Sequence, residues 1–135
     1  MYQQMIFVNL PVRDIDASKK FFTELGYTIN PQFSDSTTGS VVISEQIVVM
    51  LLAHEKYAEF TKKEIADSTR TSEVLIALSA ESRQKVDELV DRALSLGATE
   101  PREKQDLGFM YGRAFEDLDG HTFEVVWMDP AAVEG

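Results

Sequence analysis

Two stretches of this chain place apolar residues at helical spacing, while the other apolar blocks are short and strand-like. Residues 5–12 read as a first strand, with Ile6, Val8 and Leu10 on one face and Met5, Phe7 and Asn9 on the other, because side chains alternate. Pro11 cannot donate to a ladder and marks an edge or the strand's end. Asp14 suits an N-cap. Ile15, Ser18, Phe22 and Leu25, with Phe21 beside them, form the stripe of an amphipathic helix that Gly26 ends. Residues 27–33 predict a short strand and 34–39 a polar loop. Residues 40–44 and 47–53 predict two strands about a Glu45-Gln46 turn. The run Ile47-Val48-Val49-Met50-Leu51-Leu52 is apolar on both faces, which predicts a central strand.

Residues 54–71 break the pattern. They are charged, with Tyr57, Phe60 and Ile65 as apolar points, and predict a short helix and a polar loop that is either a connector or a lid. The alternation then resumes. In residues 73–79, Val74, Ile76 and Leu78 oppose Glu73, Leu75 and Ala77. Ser79 is the expected cap of a second helix whose stripe is Val86, Leu89, Val90, Ala93 and Leu96, ending at Gly97. Three strands are predicted at about 99–104, 109–115 and 122–128. Asp119-Gly120 supplies the turn between the last two. Pro130 is expected to close the fold, with 131–135 a loose tail. The order strand, helix, three strands therefore occurs twice: module one at about 5–53, a connector at 54–71 and module two at about 72–128, in one domain spanning 1–135. The predicted class is α+β: two βαβββ modules forming a curled, cleft-enclosing mixed sheet with helices outside.

Composition narrows the chemistry. A chain of 135 residues can bury a core, and a net charge of −10 argues against nucleic acid or an anionic membrane as partner. That charge favours solubility and, weakly, a cationic or neutral ligand. With no Cys, there is neither disulfide nor thiolate chemistry. No apolar run reaches the ~20 residues of a membrane span, and the N-terminus does not read as a signal peptide, so the expected location is cytoplasmic. His121, in the hairpin turn, and His54 are expected at the surface. Glu124 shares a strand face with Thr122 and Val126, a carboxylate among apolar neighbours. If Asp117 pairs with Thr122, then Tyr111, Arg113 and Phe115 lie on Glu124's side, with Arg113 its ion-pair partner. A slip of one residue puts Gly112 and Ala114 there instead.

The opening Leu-Pro-Val-Arg-Asp-Ile-Asp-Ala-Ser-Lys-Lys-Phe-Phe-Thr-Glu-Leu-Gly-Tyr and the closing Phe-Glu-Asp-Leu-Asp-Gly-His-Thr-Phe-Glu, on this repeated plan, resemble the vicinal oxygen chelate superfamily over about residues 5–128. That group includes glyoxalase I, extradiol dioxygenases, and fosfomycin and bleomycin resistance proteins. The resemblance implies a homodimer and a divalent metal held at four inward positions, which fall here on Phe7, Met50, Leu75 and Glu124. Only Glu124 offers a donor of the kind such ions need. No cofactor is therefore expected, and a shifted divalent site using Asn9, Glu73 and Glu124 is the alternative. The leading reading is a binding protein in the manner of bleomycin resistance proteins. Phe7, Asn9, Met50, Leu75, Tyr111, Arg113 and Glu124 would line its cleft, with Glu124 also the candidate catalytic group. The alternatives are a metal-dependent lyase or dioxygenase of the glyoxalase type, and a silent interaction protein whose cleft is filled by its own side chains.

Overall fold

The computed structural model describes residues 1–133. The chain forms two compact units, residues 1–67 and 68–135. Each carries a separate four-stranded mixed sheet, ordered β1-β4-β3-β2 in the first and β5-β8-β7-β6 in the second. The class is α+β, and each half repeats the βαβββ order. Each module thus builds its own half-sheet.

In the first unit, β1 (Ile6–Val12) pairs in parallel with β4 (Ile47–Ala53), which pairs antiparallel with β3 (Thr38–Val42), itself flanked by β2 (Thr28–Ile29). Helix α1 (Ile15–Leu25) begins where the Asp14 carboxylate accepts the Ala17 N–H at 3.0 Å, satisfying a donor that the first turn would leave unpaired. It ends at Gly26, whose φ of 119° is a left-handed conformation open to glycine without a Cβ clash. Its buried Ser18, Phe21, Phe22 and Leu25 are the stripe the spacing predicted. A Cβ on Gly39 would meet Lys19 of α1, which identifies the helix-covered face as that of Gly39, Val41, Val49 and Leu51. Phe7, Asn9, Met50 and Leu52 lie on the opposite face, away from α1. Residues 31–33 form a 3-10 turn in place of the expected strand end, because the Asn30 side chain accepts the Gln32 N–H at 3.0 Å. A four-residue helix, α2 (His54–Tyr57), follows β4 directly.

The second unit builds β5 (Leu75–Ser79), α3 (Arg83–Ser95), β6 (Gln105–Asp106), β7 (Met110–Glu116) and β8 (Thr122–Met128). β5 and β8 are parallel neighbours; the other pairs are antiparallel. Ser82, not Ser79, caps α3, accepting the Lys85 N–H at 3.1 Å. The helix cannot begin earlier because the Ala80 N–H still bonds Val126 O, at 2.8 Å. Val86, Val90 and Ala93 of α3 are buried, as are Phe115, Phe123 and Val125. Phe115 and Phe123 stack with ring centroids 5.4 Å apart. The strand expected at 99–104 is a single bridge, Thr99 to Glu116, and then irregular chain until β6. Residues Pro130–Val133 form a helical turn, α4, where a tail was expected; residues 134 and 135 lie outside the described residues.

Candidate functional site

The β7–β8 turn decides what surrounds Glu124. The Asp117 carboxylate accepts the backbone N–H groups of Asp119 and His121, at 3.0 and 2.9 Å, and the Asp117 N–H bonds His121 O. The turn therefore closes between Asp117 and His121, so the ladder pairs Glu116 with Thr122 and Ala114 with Glu124. This is the slipped register. It corrects the placement of Tyr111 and Arg113, which lie on the α3-facing side of the sheet, opposite Glu124. It also corrects the expected exposure of His121, which is buried with Asp117 and Asp119. Burial pushes the Asp117 carboxyl up to about 6, against the opposing pull of His121 and of its two backbone donors. Gly120 sits at φ 85°, and a Cβ there would come within 2.7 Å of Ser68 O.

Glu124 itself pairs with Arg102. Arg102 lies in the irregular stretch between the Thr99–Glu116 bridge and β6, on the far side of β7 from β8. Its guanidinium reaches Glu124 across β7 where Ala114 and Gly112 leave space. The Glu124 side chain is 22% exposed, and Arg102 is the more open of the two at 41%. Sequence spacing gives no sign of this partner, because Arg102 belongs to no periodic element. On the same helix-free face, Leu75 and Ala77 of β5 stand beside Thr122 and Glu124.

Arg113 and Tyr111 serve a different group. Arg113 is 11% exposed and bonds Asp87 and Asp91 of α3, at 3.0 and 2.9 Å, and Glu100 through two further contacts. Glu100 first, then the two aspartates, raise its pKa above the ordinary arginine value, so it stays charged. The Tyr111 hydroxyl donates to Asp87 at 2.7 Å, which pushes its pKa up to about 12, with burial adding to the effect. The carboxylates here are occupied by Arg113, and the groove of about 840 Å³ between α3 and β7 is walled by this network with Arg102, Glu103 and Lys104.

In the first unit the structure brings Phe7, Asn9 and Met50 onto one face. Asn9 stands beside Met50, and Phe7 stands beside Val48, one pleat away. Phe7 is 55% exposed, Asn9 is exposed and Met50 half-buried. In the second unit Leu75 is 56% exposed. Phe7 and Leu75, two residues expected to fill the cleft in the silent reading, are thus open to solvent.

The four positions that would hold a divalent ion do not fit one. Phe7 and Leu75 carry no donor, Met50 offers only a soft thioether, and Glu124 is engaged by Arg102. Among the described residues, no three His, Cys, Asp or Glu side chains are grouped to hold an ion. Of the residues of the shifted site, Glu73 is exposed ahead of β5 and Glu124 is paired with Arg102.

Residues 4–42 match the family described as bleomycin resistance protein-like N-terminal. Hypothetical protein SA1046 from S. aureus is 32% identical, with a TM-score of 0.77 and coverage of 94% of this chain and 95% of that one. A glyoxylase/bleomycin resistance protein/dioxygenase domain from Frankia sp. EAN1pec is 26% identical, with a TM-score of 0.70 and coverage of 95% and 93%. The fosfomycin resistance protein FosX from Mesorhizobium loti, at 20% identity, shares the fold with a TM-score of 0.68 and 98% coverage of both chains. No curated protein matches the sequence.

Proposed function

Because this chain belongs to the vicinal oxygen chelate superfamily of glyoxalase and bleomycin resistance-like proteins, we propose that it binds a small molecule on a sheet face away from α1 or α3, without a resident divalent metal. The observation that carries this reading is the donor set: hydrocarbon or thioether at Phe7, Leu75 and Met50, and a Glu124 already paired with Arg102. Exposed apolar side chains beside a few oriented polar groups are what a small-molecule surface needs. In the first unit Met50 supplies an adaptable wall and Asn9 an amide; in the second the Glu124–Arg102 pair supplies an acceptor and spare guanidinium donors. Tyr111 and Arg113 drop out of the contact set in this reading and act as the frame between α3 and β7.

The working assembly in this proposal is a homodimer. Its support is the apolar exposure at the start of the edge strands: Ile6, Phe7, Val74 and Leu75 are 55, 55, 55 and 56% exposed. Metal analysis of protein purified without chelator tests the central claim. Ni, Zn, Fe and Mn should each be well below one per chain, and a stoichiometric ion would overturn it. A thermal-shift screen of thiol conjugates, catechols and cationic drugs should then give at least one stabilising compound; a flat screen counts against binding.

A further inference from the structure

The connector does more than join β4 to β5. Immediately after β4 it turns back, with the Ala58 N–H bonding His54 O at 2.9 Å and the Phe60 N–H bonding Tyr57 O at 3.0 Å. This places Tyr57, Phe60 and Thr61 against Asn9 and Leu52 on the face away from α1, and the five side chains line a cavity of about 290 Å³ within the first unit. That volume lies at the lower end of the range for small-ligand pockets.

The lining is chemically uniform. Leu52 is buried and apolar, two walls are aromatic, and none of the five residues is Asp, Glu, His, Lys or Arg. Phe60 is 70% exposed; the Lys56 ammonium sits 5.5 Å from its ring centroid, and Lys56 is itself paired with Glu59. The Asn9 amide and the Tyr57 hydroxyl make no hydrogen bond to another described residue. Thr61 Oγ accepts from the Lys63 N–H at 3.1 Å and keeps its own proton to donate. The cavity's lining thus combines two aromatic rings with unspent donors and acceptors and carries no charged side chain of its own, and the Lys56 ammonium over the Phe60 ring is already paired with Glu59.

We propose that this cavity binds a small, uncharged, planar aromatic or heteroaromatic molecule bearing an amide or hydroxyl group, stacked on Tyr57 and Phe60 and oriented by Asn9. The assignment rests on the small-molecule reading above and names its ligand class. The probe is benzamide, titrated into uniformly 15N-labelled full-length chain and followed by amide correlation spectra. Saturable shifts are expected at the Asn9 side-chain amide and at the backbone of residues 57–61. F60A should weaken binding about two- to tenfold, the range for an aromatic contact, while leaving the thermal midpoint unchanged because Phe60 is exposed. Benzoate, of the same shape but charged, and cyclohexanecarboxamide, with the same amide but no flat ring, should both bind more weakly. Shifts confined to residues around Glu124 and abolished by E124Q would overturn the cavity while leaving the broader reading intact. An F60A variant as good as the parent, benzoate binding as tight as benzamide, or no shift with either benzamide or catechol would each overturn the assignment. The screen described above decides the broader reading independently.

Discussion

Asp117 is a carboxylate held in the wrong solvent. It is 7% exposed, and loss of hydration raises its pKa to about 6, so it binds a proton more readily folded than unfolded. The stability this contributes is complete below the ordinary aspartate value and is lost as pH rises through about 6. D117N keeps an oxygen for the Asp119 and His121 N–H groups but carries no charge. Its thermal midpoint relative to the parent should therefore climb between pH 4 and pH 8, and a constant difference would refute the buried charge. Asp106 behaves oppositely. The bidentate Arg83 contact at 2.8 and 2.9 Å, then the Gly108 N–H, lower its pKa to about 2. Its contribution is present above the unfolded value near 3.8 and is lost as pH falls toward 2. D106N should flatten that acid limb of the melting profile. Glu124 is the residue whose surroundings were least legible. Its strand face followed from alternation, but its partner is Arg102 rather than Arg113, and Arg102 sits where no periodicity operates. With Arg102 41% exposed, solvent screening keeps the pair's contribution small, and E124Q should cost less than about 1 kcal/mol by denaturant titration.

Secondary elements were legible where side-chain periodicity and backbone hydrogen bonds agree. β4 and β8 run over the residues that alternation picked out, since both are fully paired and apolar blocks define their ends. The helix stripes were legible for the same reason. The α3 start was not, because Ser79 and Ser82 are equally good caps, and it is the Ala80 bond to Val126 that keeps Ser79 in the ladder. The β7 register was likewise hidden in the geometry of one Asp side chain, whose two backbone acceptances lengthen the turn by a residue. These caps can be weighed directly. D14A and S82A each remove the acceptor of one otherwise unpaired N–H and should each destabilise by about 1 kcal/mol, while S79A should cost less than S82A. Equal losses at Ser79 and Ser82 would contradict the observed helix start.

At the scale of the whole molecule, the repeated order was visible before any coordinates, and both halves realise it with a parallel edge pair and a helix after the first strand. Pattern could not reveal that residues 57–61 fold back against β1 and β4. It also left the four open apolar residues at the starts of β1 and β5 undistinguished from core. Replacing Phe7 and Leu75 together by Asp should leave the fold intact, since both are more than half exposed, and convert a dimer to a monomer by light scattering. A parent already monomeric at high concentration would sink the dimer. The crossing of Ser68 over Gly120 carries a consequence of its own. The last hairpin acts as a clasp on the chain's path into the second unit, and it closes only while position 120 has no side chain. Substituting G120A should prise it open, at a cost of about 1–3 kcal/mol, and residues 68–71 should then become both exchangeable with solvent deuterium and newly open to proteases, in step with the hairpin itself.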